Sequence, residues 1–310
     1  MNRLLILLLL IFALLPLSVT AQDVGVLTLG EGAMRVIRGT TVLQGVVGMQ
    51  LHQSDIIETS DAGFVQLEFS GGTIVLLGAS SQLFILSHTT GGAVHKTTGK
   101  ARAELVLLSG WLKGETASTG MYSYLSPLLA ATTQDGTILL HVAAGGAEVF
   151  VESGSAKVSE VSAQGNLGAT SSAKSEQFFS RRAGKNITVS SRPDSAFVGT
   201  MPIPFRDTIP SRLSRFSGEP PEPKRDHEVS YSEIERWLTI PPAWRRGFVE
   251  RFRPRLNDAA FHHAVEDHLN TLPDWDPVLH PEKYKAAPLS RMRNSTLHLA
   301  GTYDETYCEV

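Results

Sequence analysis

The chain has 310 residues, of which 42% are hydrophobic and 19% charged, and a formal net charge of −3. That length and apolar content support one large or two ordinary domains with a sizeable core. The slightly acidic balance argues against a general nucleic-acid binder, which needs a basic surface to neutralise phosphates.

In chain order, Met1-Asn2-Arg3 supplies a positive start, Leu4 to Leu15 is an unbroken apolar run of 12 residues, and Pro16 breaks it. Val19-Thr20-Ala21 then fits the small-residue cleavage rule, which predicts a leader over 1–21 cut between Ala21 and Gln22. The apolar run is shorter than the ~20 residues a spanning helix needs. No later stretch is apolar enough to cross a bilayer. The expected product is therefore exported, soluble and periplasmic, with no stable membrane span after cleavage. Its one cysteine, Cys308, cannot form an internal disulfide, so the fold must stand on its core. Cys308 is either a spare thiol on the tail or a link to another chain.

Residues 22–200 read as one all-β domain, a roll or sandwich. Gly39, Gly45 and Gly48 punctuate β-branched residues. Phe64 to Phe69 alternates, with Val65, Leu67 and Phe69 on one side and Gln66 and Glu68 on the other. A Gly71-Gly72 turn leads into Thr73 to Leu77, an apolar strand expected to be buried on both faces. Ser81 to Leu86 is a further strand, and "AELVLLSGWLKGE" another, closed by Gly110 and Gly114. The segments "DGTILLH", "AEVFVES" and "SAKVSEVS" follow as separate short strands, with Gly72 and Gly136 permitting positive φ where strands reverse.

Composition then shifts. Of 27 glycines, 24 precede residue 200, and of 16 prolines, 13 follow it, which marks a boundary. Residues 201–226 form a linker rich in proline and basic residues, expected to lie extended on the first domain. Proline removes donors and fixes φ, so this stretch is neither a central strand nor a helix interior. Residues 227–310 are expected to be a small bundle of short helices. Ser230-x-x-Glu233 is a capping-box start, and Ile234, Trp237 and Leu238 form one apolar stripe. Pro241-Pro242 opens a second helix carrying Trp244, Phe248 and Phe252, which Pro254 ends. Asn257 or Asp258 caps a third, with Phe261, Val265 and Leu269 on one face. Helices this short must pack on each other or on the β domain.

The stretch from Arg35 to Ile85 resembles the FecR domain. The residues that carry the likeness are Gly48, Leu51, Asp55, Ile57 and Thr59, the Val65–Phe69 strand, Gly72-Thr73, Gly78-Ala79-Ser80-Ser81 and Leu107 to Gly110. The likeness covers about a hundred residues and fades beyond Gly114. The family's best-known members join a sigma-binding cytoplasmic segment to a periplasmic sensor through one membrane helix. The sequence shows neither that segment nor that helix. The resemblance therefore implies an all-β periplasmic module that binds other proteins, without sigma-factor control. Asp55 and Thr59 flank a predicted turn, where their side chains can bond local backbone. The motif residues are structural in this reading and carry no catalytic or cofactor role.

Other candidates lie near the C-terminus. His262 and Glu266 are four apart, as are His263 and Asp267, so each pair shares a helix face. With His268 they could hold a metal, though no His-Glu-x-x-His or third ligand is evident. The favoured alternative is a solvated helix face. Asp274, Trp275, Asp276, His280 and Glu282 read as a cap-and-turn segment anchored by Trp275, with sugar binding or acid–base work as the competing role. Three functions follow. The first is a non-enzymatic module that binds another envelope protein in signalling or assembly, through exposed strand edges. The second is a cell-wall carbohydrate adaptor stacking sugars on a surface of Trp237, Trp244 and Trp275. The third is a metal-dependent hydrolase built on His262, His263, Glu266 and His268.

Overall fold

The computed structural model describes residues 23–89, 101–117 and 120–284. The predicted cleavage site at Ala21 and Gln22 and the lone Cys308 lie outside the described residues. Fifteen strands come first: β1 (Asp23–Glu31), β2 (Met34–Arg38), β3 (Thr41–Gln44), β4 (Gln50–His52), β5 (Ile56–Thr59), β6 (Phe64–Phe69), β7 (Ile74–Leu77), β8 (Gln82–Thr89), β9 (Ala101–Thr116), β10 (Gly120–Leu125), β11 (Leu129–Ala143), β12 (Gly146–Val161), β13 (Leu167–Lys174), β14 (Phe178–Arg182) and β15 (Thr188–Ser190). Helix α1 (Ser195–Thr200) and two 3-10 turns follow, then strand β16 (Arg225–Glu228). The chain ends in short helices: α2 (Tyr231–Leu238), α3 (Phe248–Phe252), α4 (Ala259–Asp267), α5 (Asp276–Leu279) and α6 (Pro281–Tyr284). The molecule is mainly β, with short C-terminal helices after a linker, as the sequence predicts.

All sixteen strands belong to one hydrogen-bonded sheet, which folds over on itself into two leaves. Leaf A runs β16-β3-β2-β5-β8, then the first half of β9, β10, the first half of β11, the second half of β12, and β13. Leaf B runs β4-β1-β6-β7, then the second half of β9, the second half of β11, the first half of β12, β14 and β15. Strands β9 and β10 pair in parallel, because the second half of β9 crosses to leaf B before the chain returns. Side chains alternate across each leaf, as a pleated strand requires. Val36, Ile57 and Leu83 of leaf A meet Leu67, Val75, Leu112 and Leu140 of leaf B in the central core.

Long strands change leaf where glycine lets them bend. Gly136 (φ +125°) and Gly154 (φ +75°) are register partners in β11 and β12. A Cβ on Gly136 would sit 2.3 Å from the Ser153 carbonyl oxygen, and one on Gly154 2.3 Å from that of Asp135. Gly110 (φ +90°) bends β9 in the same way. This corrects three sequence expectations. Gly110 and Gly114 lie inside β9 and do not close it. "DGTILLH" begins in the middle of β11 and follows no turn. "AEVFVES" and "SAKVSEVS" are the two halves of β12. A reversal and a mid-strand bend need the same backbone freedom, so the glycine signal does not separate them.

The outer face of each leaf is covered by the chain that follows β15. On leaf B, Phe197, Phe205 and Ile209 of the linker region pack on Ile74, Leu76, Trp111, Leu139 and Phe178. That cover is why β7 is buried on both faces. On leaf A, Ile37, Val42, Ile56, Phe84 and Val106 meet Ile234, Trp237, Phe248, Phe252 and Phe261 of the helical region. The Ser230 cap forms, with its N–H donating to Glu233 Oε2 at 2.9 Å. Asp258 Oδ1 caps α4 by accepting from the N–H groups of Ala260 and Phe261, both at 3.0 Å. The second predicted helix is shorter than its pattern. Trp244 stands in a turn before α3, and Pro254 continues into the 3-10 turn Arg253–Asn257. Among the described residues no helix is long and apolar enough to cross a membrane.

Candidate interaction surface

The residues singled out in the sequence from Gly48 to Gly78 hold leaves and cover together. Asp55, 1% exposed, accepts from the His52 N–H at 2.8 Å, the local bond its turn position predicts. It also takes a two-pronged ion pair from Arg38, with Nε at 2.9 Å and Nη2 at 2.7 Å. Thr59 reaches further than expected. It lies within β5, donates to the Gly78 carbonyl at 2.7 Å and accepts from the Ser81 N–H at 2.9 Å, clipping β5 to the β7–β8 turn. Gly78 leaves room for the linker: a Cβ there would stand 2.9 Å from Pro202 and 3.1 Å from Trp111. Gly48 does the same for Pro221, at 3.1 Å. Gly72 (φ +83°) makes the β6–β7 turn, and Thr73 is fully buried just before β7.

Several charged residues are buried beneath the cover, among them Glu68, which the alternation of β6 sets opposite its apolar side chains. Glu68, 3% exposed, accepts from Thr28 Oγ1 at 2.7 Å, Gln66 Nε2 at 2.9 Å, Ser211 Oγ at 2.5 Å and the Arg212 N–H at 2.7 Å. Burial pushes its carboxyl up, but these donors outweigh burial and hold it below the ordinary carboxylate range. Lys113, also 3% exposed, donates to the carbonyls of Phe205 (2.7 Å) and Asp207 (3.1 Å) and pairs with Glu152 at 2.8 Å. On leaf A, Glu58 accepts from Arg35 Nε at 2.6 Å, Gln82 Nε2 at 2.8 Å and Trp237 Nε1 at 3.1 Å. Arg35 reaches on to Glu233 at 2.7 Å. These residues read locally as exposed strand residues do, and only partners about 90 to 180 residues away distinguish them.

The proposed aromatic surface is not a surface. Trp237, Trp244 and Trp275 are 0%, 5% and 2% exposed. All three belong to the core beneath the helices, because their apolar rings are what bonds that layer to leaf A. Stacking of sugars on them is therefore excluded by burial. The His262–His268 residues do not converge. His262 stands 3.9 Å from Glu266 and His263 3.5 Å from Asp267, each on exposed side chains. His268 turns away, its Nδ1 2.7 Å from the Ala264 carbonyl and its ring stacked on Tyr231. Among the described residues no group of three or more His, Cys, Asp or Glu is placed to hold a metal. Asp274 pairs with Arg245 at 3.0 Å, and Asp276 accepts from Tyr284 Oη at 2.6 Å.

The faces being covered, the strand edges are what remains. The two leaves have four: β16 and β13 in leaf A, β4 and β15 in leaf B. Strand β16 reads Arg-Asp-His-Glu, all charged or titratable. Strands β4 and β15 have three residues each. Short length and charge are the devices that keep an edge from pairing further. Strand β13 has eight residues, Leu-Gly-Ala-Thr-Ser-Ser-Ala-Lys, seven of them exposed. It carries no proline, and its only charge is the terminal Lys174. An irregularity in its pairing with β12 falls between Leu167 and Thr170, so Thr170 to Lys174 is the regular stretch. Ser159 and Thr170 hydroxyls 2.7 Å apart fix its register. Leu167, just beyond, is 53% exposed.

The fold is similar over 46% of the chain, at 10% identity and a TM-score of 0.35, to two crystal structures of a "putative anti-sigma factor" from Parabacteroides distasonis ATCC 8503. The chain spans 62% of the length of those relatives. No family model matches the sequence, and no curated protein matches it.

Proposed function

We propose that this chain is a non-enzymatic interaction module of the cell envelope, working in signalling or assembly, and that it takes up an extended segment of another envelope protein along β13. The outward edge of β13, which among the described residues pairs with no further strand, carries the reading. An unpaired row of backbone N–H and C=O groups is a template for one more strand, with affinity from main-chain bonds and selectivity from alternate side chains. The regular stretch from Thr170 to Lys174 offers a run of about 17 Å at roughly 3.4 Å per residue. The leader-like sequence from Met1 to Ala21 supports the export that an envelope role needs.

A photo-crosslinking side chain at Ser172, compared with one at Asp226 of β16, tests this in the native host. The expected result is a discrete adduct from Ser172, mapped by mass spectrometry to an extended segment of one envelope protein and lost on Ser171→Lys. The absence of an adduct at Ser172, or an equal adduct at Asp226, overturns it.

A further inference from the structure

A cleft of about 580 Å³ opens between the β2–β3 turn of leaf A, the β4–β5 turn that joins the leaves, and the segment from Ala243 to Arg251. Its volume lies in the range of small-molecule sites. The wall is aromatic: Phe84 and Phe248 meet edge to face at 5.2 Å, and Trp244 stands beside them.

The charges around it do not balance. Three guanidinium groups, of Arg38, Arg246 and Arg251, face one carboxylate, that of Asp55. Asp55 is already saturated by Arg38 and the His52 N–H. His52, the other titratable group of the lining, pairs outward with Asp23 at 3.0 Å. Arg251 donates to three backbone carbonyls, of Ser54 (2.6 Å), Ile37 (2.8 Å) and Gly39 (2.9 Å), and among the described residues has no carboxylate partner. Burial pushes its guanidinium down to about 10, against the field of Asp55. Arg246 is exposed, and no hydrogen bond or ion pair of its side chain occurs among the described residues. An excess of positive charge, exposed at Arg246 and half-buried at Arg251, beside an apolar wall favours a ligand of matching form.

We propose that this cleft binds a small amphipathic anion, with a carboxylate, sulfonate or phosphate head against Arg246 and Arg251 and an apolar or aromatic body against Trp244 and Phe248. The ligand touches both the turns of leaf A and the helical layer, so it ties the cover to the sandwich. This site is separate from the β13 edge and stands without it.

Calorimetric titration of the full chain with octanoate and with anilinonaphthalene sulfonate tests the proposal, with octanol as the uncharged control. Arg246→Glu is the variant of choice, because this exposed side chain has no partner to lose. The expected result is saturable one-to-one binding of both anions, weakened on the order of tenfold or more in Arg246→Glu. Bound octanoate should also raise the thermal midpoint of the wild-type chain, since a ligand of the folded state stabilises it by mass action. Failure of both anions to saturate, octanol binding as tightly as octanoate, or unchanged affinity in Arg246→Glu overturns the proposal.

Discussion

Leaf A has two edges made in opposite ways. At one end the chain returns after nearly two hundred residues to lay β16 on β3, and the new edge is charged. At the other end β13 is left exposed and nearly uncharged. The same contrast runs through the whole molecule. The middle of each outer face is covered by large aromatic side chains, while the longest edge strand, β13, is exposed at seven of its eight residues. Covering is work the sequence does at many positions, and the exposed β13 edge is where the proposal places a partner.

The comparison can be broken first at the cover. Trp237 is fully buried and holds Glu58 through its indole N–H, so Trp237→Ala should cost about 3–5 kcal/mol in urea unfolding. A cost under 1 kcal/mol, roughly that of a surface change, would mean the helical layer is not part of the core. Lys113→Met keeps the length of the side chain but strands the carbonyls of Phe205 and Asp207, and should cost about 1–3 kcal/mol. The same change should speed proteolysis within the linker if Lys113 is what clamps it.

Acid sharpens the contrast between the covered interior and the edge. Burial pushes the His88 imidazole below its ordinary value of 6.5, against a hydrogen bond with the Ser70 backbone. The unfolded chain therefore binds this proton more readily, and the stability His88 contributes is complete above pH 6.5 and falls as the pH drops below it. Glu68, held below 4.5, contributes stability that is present above that pH and lost as the pH falls through its folded value. The urea midpoint should thus decline in two stages, and Glu68→Gln should shrink the second, which Glu233 and other low-shifted carboxylates share, and leave the first in place. The smallest effect belongs to the edge. Ser171→Lys should change stability by no more than about 0.5 kcal/mol while abolishing the Ser172 cross-link.

The strands were legible where periodicity carries the signal. Phe64–Phe69 and the doubly buried Ile74–Leu77 follow from their letters. So do the Ser230 and Asp258 caps, whose partners lie within three residues. The bends at Gly110 and Gly136 read in the sequence as strand ends, because a single glycine licenses either geometry. The sequence leaves Trp237, Trp244 and Trp275 open between core anchors and sugar-stacking faces, because an aromatic beside short helices looks the same in sequence whether it meets a ligand or a sheet; all three are core. Glu58, Glu68 and Lys113 left no local trace, since what buries them arrives from a distant part of the chain. The β13 edge was anticipated only as a class of feature. Which of four edges stays bare depends on where the linker returns, and that is set by packing.

Hydrogen–deuterium exchange of the full chain, resolved by peptide, tests the central claim most directly. The account predicts slow exchange in 205–213 and 231–240, and fast exchange for the outward half of the amides in 167–174. Protection of every amide in 167–174, at the level of the β12 residues that pair with it, would show that the chain covers this edge as well and would contradict the account.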